Sequence, residues 1–418
     1  MSSESQTSNS APDHSQSIIL SKKDVHGITF QKNKTESVHR WFPYVEGFAG
    51  RFVRDTLIKF DLSDGPILDP FGGCGSTALE CSLNGIESWS VDINPFMVFV
   101  AQTKTSLNLN VVSVKTERER LQKSLSAKAK GDSLNIINPL FLHKDYFSPR
   151  VFKKIARLKS LIAVTNDRKI KNLFRLALAS ILVPVSNLKR APDLKFRDEK
   201  ILDAPVFEMF FEKIDQFTND IVSFKGNKLA KARVVHDSAR DIKRLGKQFN
   251  QTFRGTITSP PYLNGTNYCR NTKLELWVLD YMSKDDQLNQ LRRKSITASI
   301  NSTHLDHVRP AVTESVRVLV KKIEANAYDR RIPVMVNNYF ADMKQSLTHM
   351  YRLIKRSGDC ILVVGDSMFG GVHVPTDVLL SEIGESVGFG MKGFNIVRER
   401  KSRGGAKLQE TILHFRKG

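Results

Sequence analysis

One stretch restricts the fold more than any other: "GPILDPFGGCGSTALECSLNGIESWSVDINPF", residues 65–96. Ile67 and Leu68 form a short apolar strand that runs straight into a Gly-rich turn. The run "STALECSLN" then has helical character, Gly85 stops it, and "SWSVDI" is a second strand. Strand, turn, helix and strand in this order form the opening unit of a doubly wound α/β sheet. The same rhythm returns at "ARVVHDSARD" and "GTITSPPY", and again at "DCILVVGDS". The chain then ends in two alternating runs around Gly404 and Gly405, the pattern of a β-hairpin.

The rest of the chain is organised around that sheet. Residues 1–35 are polar and are expected to be a disordered tail, without the basic and apolar blocks of a signal peptide. "GRFVRDTLIKF" and "NNYFADMKQSLTHMYRLIKRSG" have the period of amphipathic helices. Between the two sheet segments, residues 105–230 break the rhythm with basic, mostly helical stretches and a Pro-marked segment, "NLKRAPDLKFRDEK". No apolar run approaches the ~18–20 residues that span a bilayer. Cys74, Cys81, Cys269 and Cys360 lack zinc or disulfide-framework spacing, so no metal is expected and the thiols are expected to be reduced, in a cytoplasmic protein. A net charge of +21 over 418 residues points to a polyanionic partner.

Two features of the turn choose among ligands. Gly72, Gly73 and Gly75 let a ligand approach the backbone, and the helix that follows favours a negative group such as a carboxylate. Asp69 stands before the turn, where it suits an ammonium and repels a pyrophosphate. The turn also lacks the Lys of a phosphate-cradling loop. Asp92 follows about 20 residues later, at the spacing of a ribose-binding carboxylate. Asp237 ends the next strand and suits an adenine amine. A ligand with ammonium, carboxylate, ribose and adenine is S-adenosylmethionine.

Together, "DPFGGCGST" and "TSPPY" resemble the two signature motifs of the amino-group DNA methyltransferases, the modification enzymes of restriction–modification systems. "SPPY" resembles the cytosine-N4 members in particular. "HRWFPYVEGF" resembles the segment that closes over the methionine part of the cofactor. "LNGTNYCRNTKLELW" resembles the stretch after the catalytic motif. "ILVVGDS", "VPTDVLLSEIGESVGF" and the terminal hairpin resemble the last strands of the fold. The resemblance covers residues 39–103 and 232–418. It implies a Rossmann-like methyltransferase domain over 36–104 and 231–418, with 105–230 as a candidate target-recognition insertion. It also implies cofactor contacts from Tyr44, Asp69, Phe71, Gly73, Gly75, Ser76, Thr77, Asp92, Asn94 and Asp237. The cofactor turn precedes the catalytic motif here, the reverse of the order in many cytosine-N4 enzymes.

The catalytic motif suits the chemistry. The lone pair of an exocyclic amine is delocalised into its ring, so the amine must be held and drawn towards tetrahedral geometry. Ser259 Oγ and the Pro260 carbonyl can accept its two N–H groups, while Pro260 and Pro261 stiffen the turn. Tyr262 can stack on a base extruded from duplex DNA. Cys269 has no paired base and is not expected to act as a nucleophile. Basic clusters expected to grip phosphates include Lys189, Arg190, Lys195, Arg197, Arg270, Lys273, Arg292, Arg293, Lys294, Arg398, Arg400, Lys401 and Arg403. Other readings are adenine-N6 transfer, RNA amino-group transfer, and an inactive DNA-binding relic.

Overall fold

The computed structural model describes residues 30–42, 44, 46–126, 137–191, 193–263, 269–284, 286–402 and 404–418. Among them, seven strands form one sheet. In chain order these are β1 (Ile67–Asp69), β2 (Ser88–Asp92), β3 (Ala232–His236), β4 (Phe253–Thr258), β5 (Ile354–Gly365), β6 (Phe389–Lys401) and β7 (Lys407–Lys417). Their spatial order is β6-β7-β5-β4-β1-β2-β3. Strands β1 to β5 pair in parallel, and β7 runs antiparallel to both β5 and β6. This is a doubly wound, Rossmann-like sheet with a terminal hairpin. The strand order reverses between β1 and β4, and the carboxyl ends there open a crevice. β4 is buried at every position, as a central parallel strand must be.

Helices α1 (Gly50–Lys59), α2 (Ser76–Leu83) and α3 (Pro95–Lys104) flank the first strands. Asn94 caps α3 by accepting from the Phe96 amide, and Pro95 occupies the first helical position. The insertion folds as α4 (Val111–Ser126), α5 (Pro149–Ala163), α6 (Arg168–Leu182) and α7 (Val206–Ser223). Ser148 caps α5 and Asp167 caps α6. These helices share one apolar core with α3 and Trp277, so the insertion is continuous with the body of the domain. Trp41 stacks on Phe217 of α7 at 4.6 Å, and its indole N–H donates to Asp220 at 2.9 Å.

Downstream lie α8 (Lys273–Val278), α9 (Asp286–Lys294), α10 (Glu314–Glu324), α11 (Arg331–Leu353) and α12 (Thr376–Val387). Helices α10 to α12 pack with β5 in a second core.

Three sequence expectations change. The tail expectation over 1–29 lies outside the described residues, and residues 30–35 belong to the folded body. Phe30 and Asn33 are buried, and the Asn33 amide donates to Phe48 O while its carbonyl accepts from Gly50 N. "VPTDVLLSEIGESVGF" is chiefly helix α12 rather than strand. The Pro-marked basic segment pairs Leu188–Ala191 with Asp193–Phe196 as a small hairpin. Among the described residues, no helix is long and apolar enough to cross a membrane.

Candidate active site

β1 delivers Asp69 to the crevice. The residue is 2% exposed, and its Oδ1 accepts from the Phe71 amide at 3.1 Å and from Thr258 Oγ1 at 2.5 Å. Burial pushes its pKa up to about 6. One carboxylate thus joins the ends of β1 and β4. The turn that follows is pinned by β2. The Gly73 amide donates to Asp92 Oδ2 at 2.8 Å, and the Asn94 amide donates to Oδ1 at 2.7 Å. Burial also raises Asp92 to about 6, against the pull of those two amides. Each carboxylate faces a space where a cation is favoured, and neither has an ion-pair partner among the described residues.

Gly73 has φ +47°, and the ring of Tyr44 lies over it, so that an added Cβ would sit 3.4 Å from Tyr44 Cε1. Buried Lys104 holds the chain before Tyr44, donating to His39 O at 3.0 Å and Phe42 O at 3.2 Å. The other turn glycines serve packing. A Cβ on Gly75 would stand 2.7 Å from Ala101 Cβ, so this glycine admits α3 rather than a ligand. Gly72 abuts Ser90 in the same way, at 2.9 Å.

A cavity of about 710 Å³ opens above these strand ends. Asp69, Phe71, Gly73, Ser76, Asp92, Asn94 and Tyr44 line it, together with Ser259, Pro260, Pro261 and Tyr262. The turn and the Pro-Pro motif, remote in sequence, therefore share one space.

Other residues differ from expectation. Gly75 lies outside the lining. Thr77 is fully buried, and its hydroxyl donates to Ile257 O at 3.2 Å, fastening α2 to β4. Asp237 is also outside the lining; its oxygens accept from the Ser238 and Arg244 amides at 2.9 and 2.8 Å, and its neighbours Ser238 and Ala239 face the cavity instead. Cys269 lines the space, but burial pushes its thiol up to about 11, so it stays protonated at neutral pH.

No family model matches the chain. It is 24% identical to the type II methyltransferase M.BsoBI of Geobacillus stearothermophilus, over 91% of this chain and 84% of that protein. It is 25% identical to the type II methyltransferase M.AvaI of Nostoc sp., over 93% of this chain and 86% of the relative. These relatives are type II methyltransferases. The type II methyltransferase M.MvaI of Kocuria varians is 23% identical over 84% of this chain and 82% of its own length. A solved SAM-dependent methyltransferase from Methanosarcina mazei aligns at 10% identity and a TM-score of 0.31, over 86% of this chain and 96% of that one.

In this methyltransferase-like chain the basic residues divide by environment. Arg292 and Lys294 line the cavity, with Arg398 and Arg400 from the terminal hairpin. Arg293, Arg270 and Lys195 are exposed. Arg190 and Arg197 are structural instead. Arg190 donates to buried Glu275 and to Asn271 O, each at 2.6 Å, while Arg197 ties Ser186 O and Leu188 O at 3.1 Å. Lys273 Nζ rests 4.0 Å from the Phe141 ring centre. Arg403 lies outside the described residues. The segment 295–302, which carried no recognisable motif, adds Ser295, Ile296, Ala298, Ser299 and Ser302 to the lining.

Away from this site, Glu36, His39 and Glu80 bring metal-type ligand atoms within 4.8 Å of one another. Arg54 fills that cluster with its own charge, reaching Glu80 at 2.6 Å and Glu36 at 3.3 Å.

Proposed function

We propose that the chain is a site-specific DNA methyltransferase that uses S-adenosylmethionine to methylate the exocyclic N4 amine of cytosine in duplex DNA. One observation carries the reading: the Gly73–Asp92 turn and the Ser259–Tyr262 motif line the same cavity. The type II designation of the relatives supports a modification role paired with a restriction endonuclease, in the cytoplasm of a prokaryote.

The residues fit the cofactor. Asp69 and Asp92 are carboxylates whose raised pKa reports burial without a compensating cation. Gly73 offers a backbone surface without a Cβ. When bound, S-adenosylmethionine supplies an electrophilic methyl group. The chain does the rest. Asp92 takes ribose hydroxyls, Asp69 faces the amino group, and Tyr44 and Phe71 close apolar walls. Ser259 Oγ and the Pro260 carbonyl accept the two amine hydrogens, which frees the nitrogen lone pair. Tyr262 stacks on the flipped base, worth roughly 1–3 kcal/mol against the few kcal/mol of unstacking. Arg292 and Lys294 supply charge for the flanking phosphates.

The test is direct. Purified protein with methyl-tritiated cofactor is offered plasmid DNA and, separately, tRNA, and the labelled nucleosides are separated. N4-methylcytosine from the plasmid is the expected product. N6-methyladenine would move the target to adenine, and label in tRNA alone would overturn the DNA reading. DNA binding without any label would leave a non-catalytic binder.

A pH dependence follows from the two carboxylates. Ligand cations favour the ionised forms, and both groups sit at about 6 in the free protein. Cofactor affinity should therefore rise as pH increases through 6, by about tenfold per carboxyl between pH 5 and 7, and level off above. Calorimetric titration at several pH values checks this; a flat profile would remove both groups from the cofactor. The effect on the fold has the opposite sign. The unfolded carboxyls ionise near 3.8. Folded stability from these groups is therefore lost between about pH 4 and 6.

A further inference from the structure

The terminal hairpin contributes a guanidinium that no motif predicted at the target end of the cavity. Arg400, near the end of β6 and opposite Leu408 of β7, lines the cavity with Tyr262. Both side chains lie over Gly365. A Cβ placed on that glycine would lie 3.0 Å from Tyr262 Cδ2 and Cε2 and 3.4 Å from Arg400 Nη2. The guanidinium therefore stands at the rim of the ring on which the base is proposed to stack.

Arg400 is held but not neutralised. Its Nη2 donates to the Asp366 carbonyl at 2.6 Å, its one hydrogen bond among the described residues. The Asp366 carboxylate is turned to other partners, the Thr376 amide at 3.1 Å and His373 Nε2 at 2.9 Å. The nearby Glu410 reaches Arg398 instead, at 3.6 Å. Arg400 Nε is buried and has no hydrogen-bond partner among the described residues. A guanidinium that lines a cavity without a carboxylate partner is costly to desolvate unless a ligand accepts its exposed N–H groups.

The chemistry of the base shows what ligand that is. With the exocyclic amine held by Ser259 and the Pro260 carbonyl, cytosine has two distinct edges beside it. One carries N3 and then O2, two adjacent acceptors. The other carries C5–H, which offers none. Adenine held by its amine presents N1 and then C2–H, a single acceptor. The planar fork of arginine donates two parallel N–H bonds and matches the first pattern only.

We infer that Arg400 selects cytosine as the target base by donating to its N3 and O2 edge beside Tyr262. The inference rests on the function proposed above and deepens it, since it names the residue that separates cytosine from adenine. It makes Arg400 a specificity-determining residue and leaves the amine to Ser259 and Pro260.

The experiment is a cycle between protein and base. Methylated positions are first mapped on plasmid DNA with the wild-type protein. Short duplexes then carry that site with either cytosine or 3-deazacytosine, in which C–H replaces N3. Each is assayed for kcat/KM with wild type, Arg400→Ala and Arg400→Lys. A good bidentate pair gives about 10–100-fold discrimination. The analogue should thus cost wild type at least about tenfold more than it costs Arg400→Ala. Arg400→Lys should fall between, and cofactor affinity should be equal in all three. A merely structural Arg400 would lower activity on both duplexes alike and leave the analogue penalty unchanged, which overturns the inference. N6-methyladenine in the plasmid product also overturns it. If wild type labels no duplex at all, the proposed function itself has failed, a result distinct from either.

Discussion

Ser259→Ala is expected to lower kcat for methyl transfer by about 10²–10³-fold while leaving cofactor affinity within about twofold of wild type. The reason is where the hydroxyl sits. Ser259 directly follows β4, half-buried, and faces the cavity between Thr258 and Pro260. Its neighbour Thr258 points the other way, into Asp69 at 2.5 Å. That bond ties the motif to the cofactor turn and is untouched by the substitution. The variant therefore keeps the fold and the cofactor pocket. It loses one of the two acceptors proposed to strip the amine of its resonance with the ring. Such an interaction is stronger in the transition state than in the ground state, so its removal appears in kcat rather than in KM for DNA. Single-turnover transfer together with cofactor titration separates the two. Transfer at the wild-type rate would remove Ser259 from the reaction, and weakened cofactor binding would assign it to the pocket instead.

The legible parts of this molecule are those whose physics is local. The strand, glycine turn, helix and second strand over 65–96 are readable because each residue's role depends on near neighbours. Asp69 ends one strand and Asp92 the next, so both arrive at the same edge of the sheet by topology alone. The helices of the insertion show their period in sequence. What the sequence hid are pairings between distant residues. Arg190 has every mark of a phosphate contact, yet it meets Glu275, 85 residues on, inside the protein. Gly75 has every mark of a ligand turn, yet its missing Cβ makes room for Ala101. Asp237 belongs to the right strand end, but a tight turn uses both of its oxygens. Lining residues from 295–302 carry no chemical signature, because they reach the cavity only through the packing of α11 and its neighbours. Arg400 showed in sequence as one basic residue among many. Its position beside Tyr262 depends on the register of β6 on β7 and of β7 on β5.

The second large effect belongs to Asp92. Replacing it with Ala is expected to weaken cofactor binding by about 10–150-fold, the value of one charge-assisted hydrogen bond of roughly 1.5–3 kcal/mol. Two losses act together. The ribose loses its proposed acceptor, and the Gly73 and Asn94 amides lose the carboxylate that now receives them at 2.8 and 2.7 Å. Gly73 holds φ +47° under Tyr44, so the turn is least able to keep its shape when that anchor is removed. Asp92→Asn separates the contributions. Its carbonyl oxygen can still receive one amide, but its NH₂ cannot receive the other, and the charge is gone. Its affinity should lie between wild type and Ala, and one of the two protonation steps should vanish from the pH profile. The remaining step, near pH 6, then belongs to Asp69. Titrating all three proteins at pH 5.5 and 7.5 measures both effects at once. Equal affinity in wild type and Asp92→Ala would exclude the ribose role, and an unchanged pH profile in Asp92→Asn would exclude Asp92 from the proton linkage.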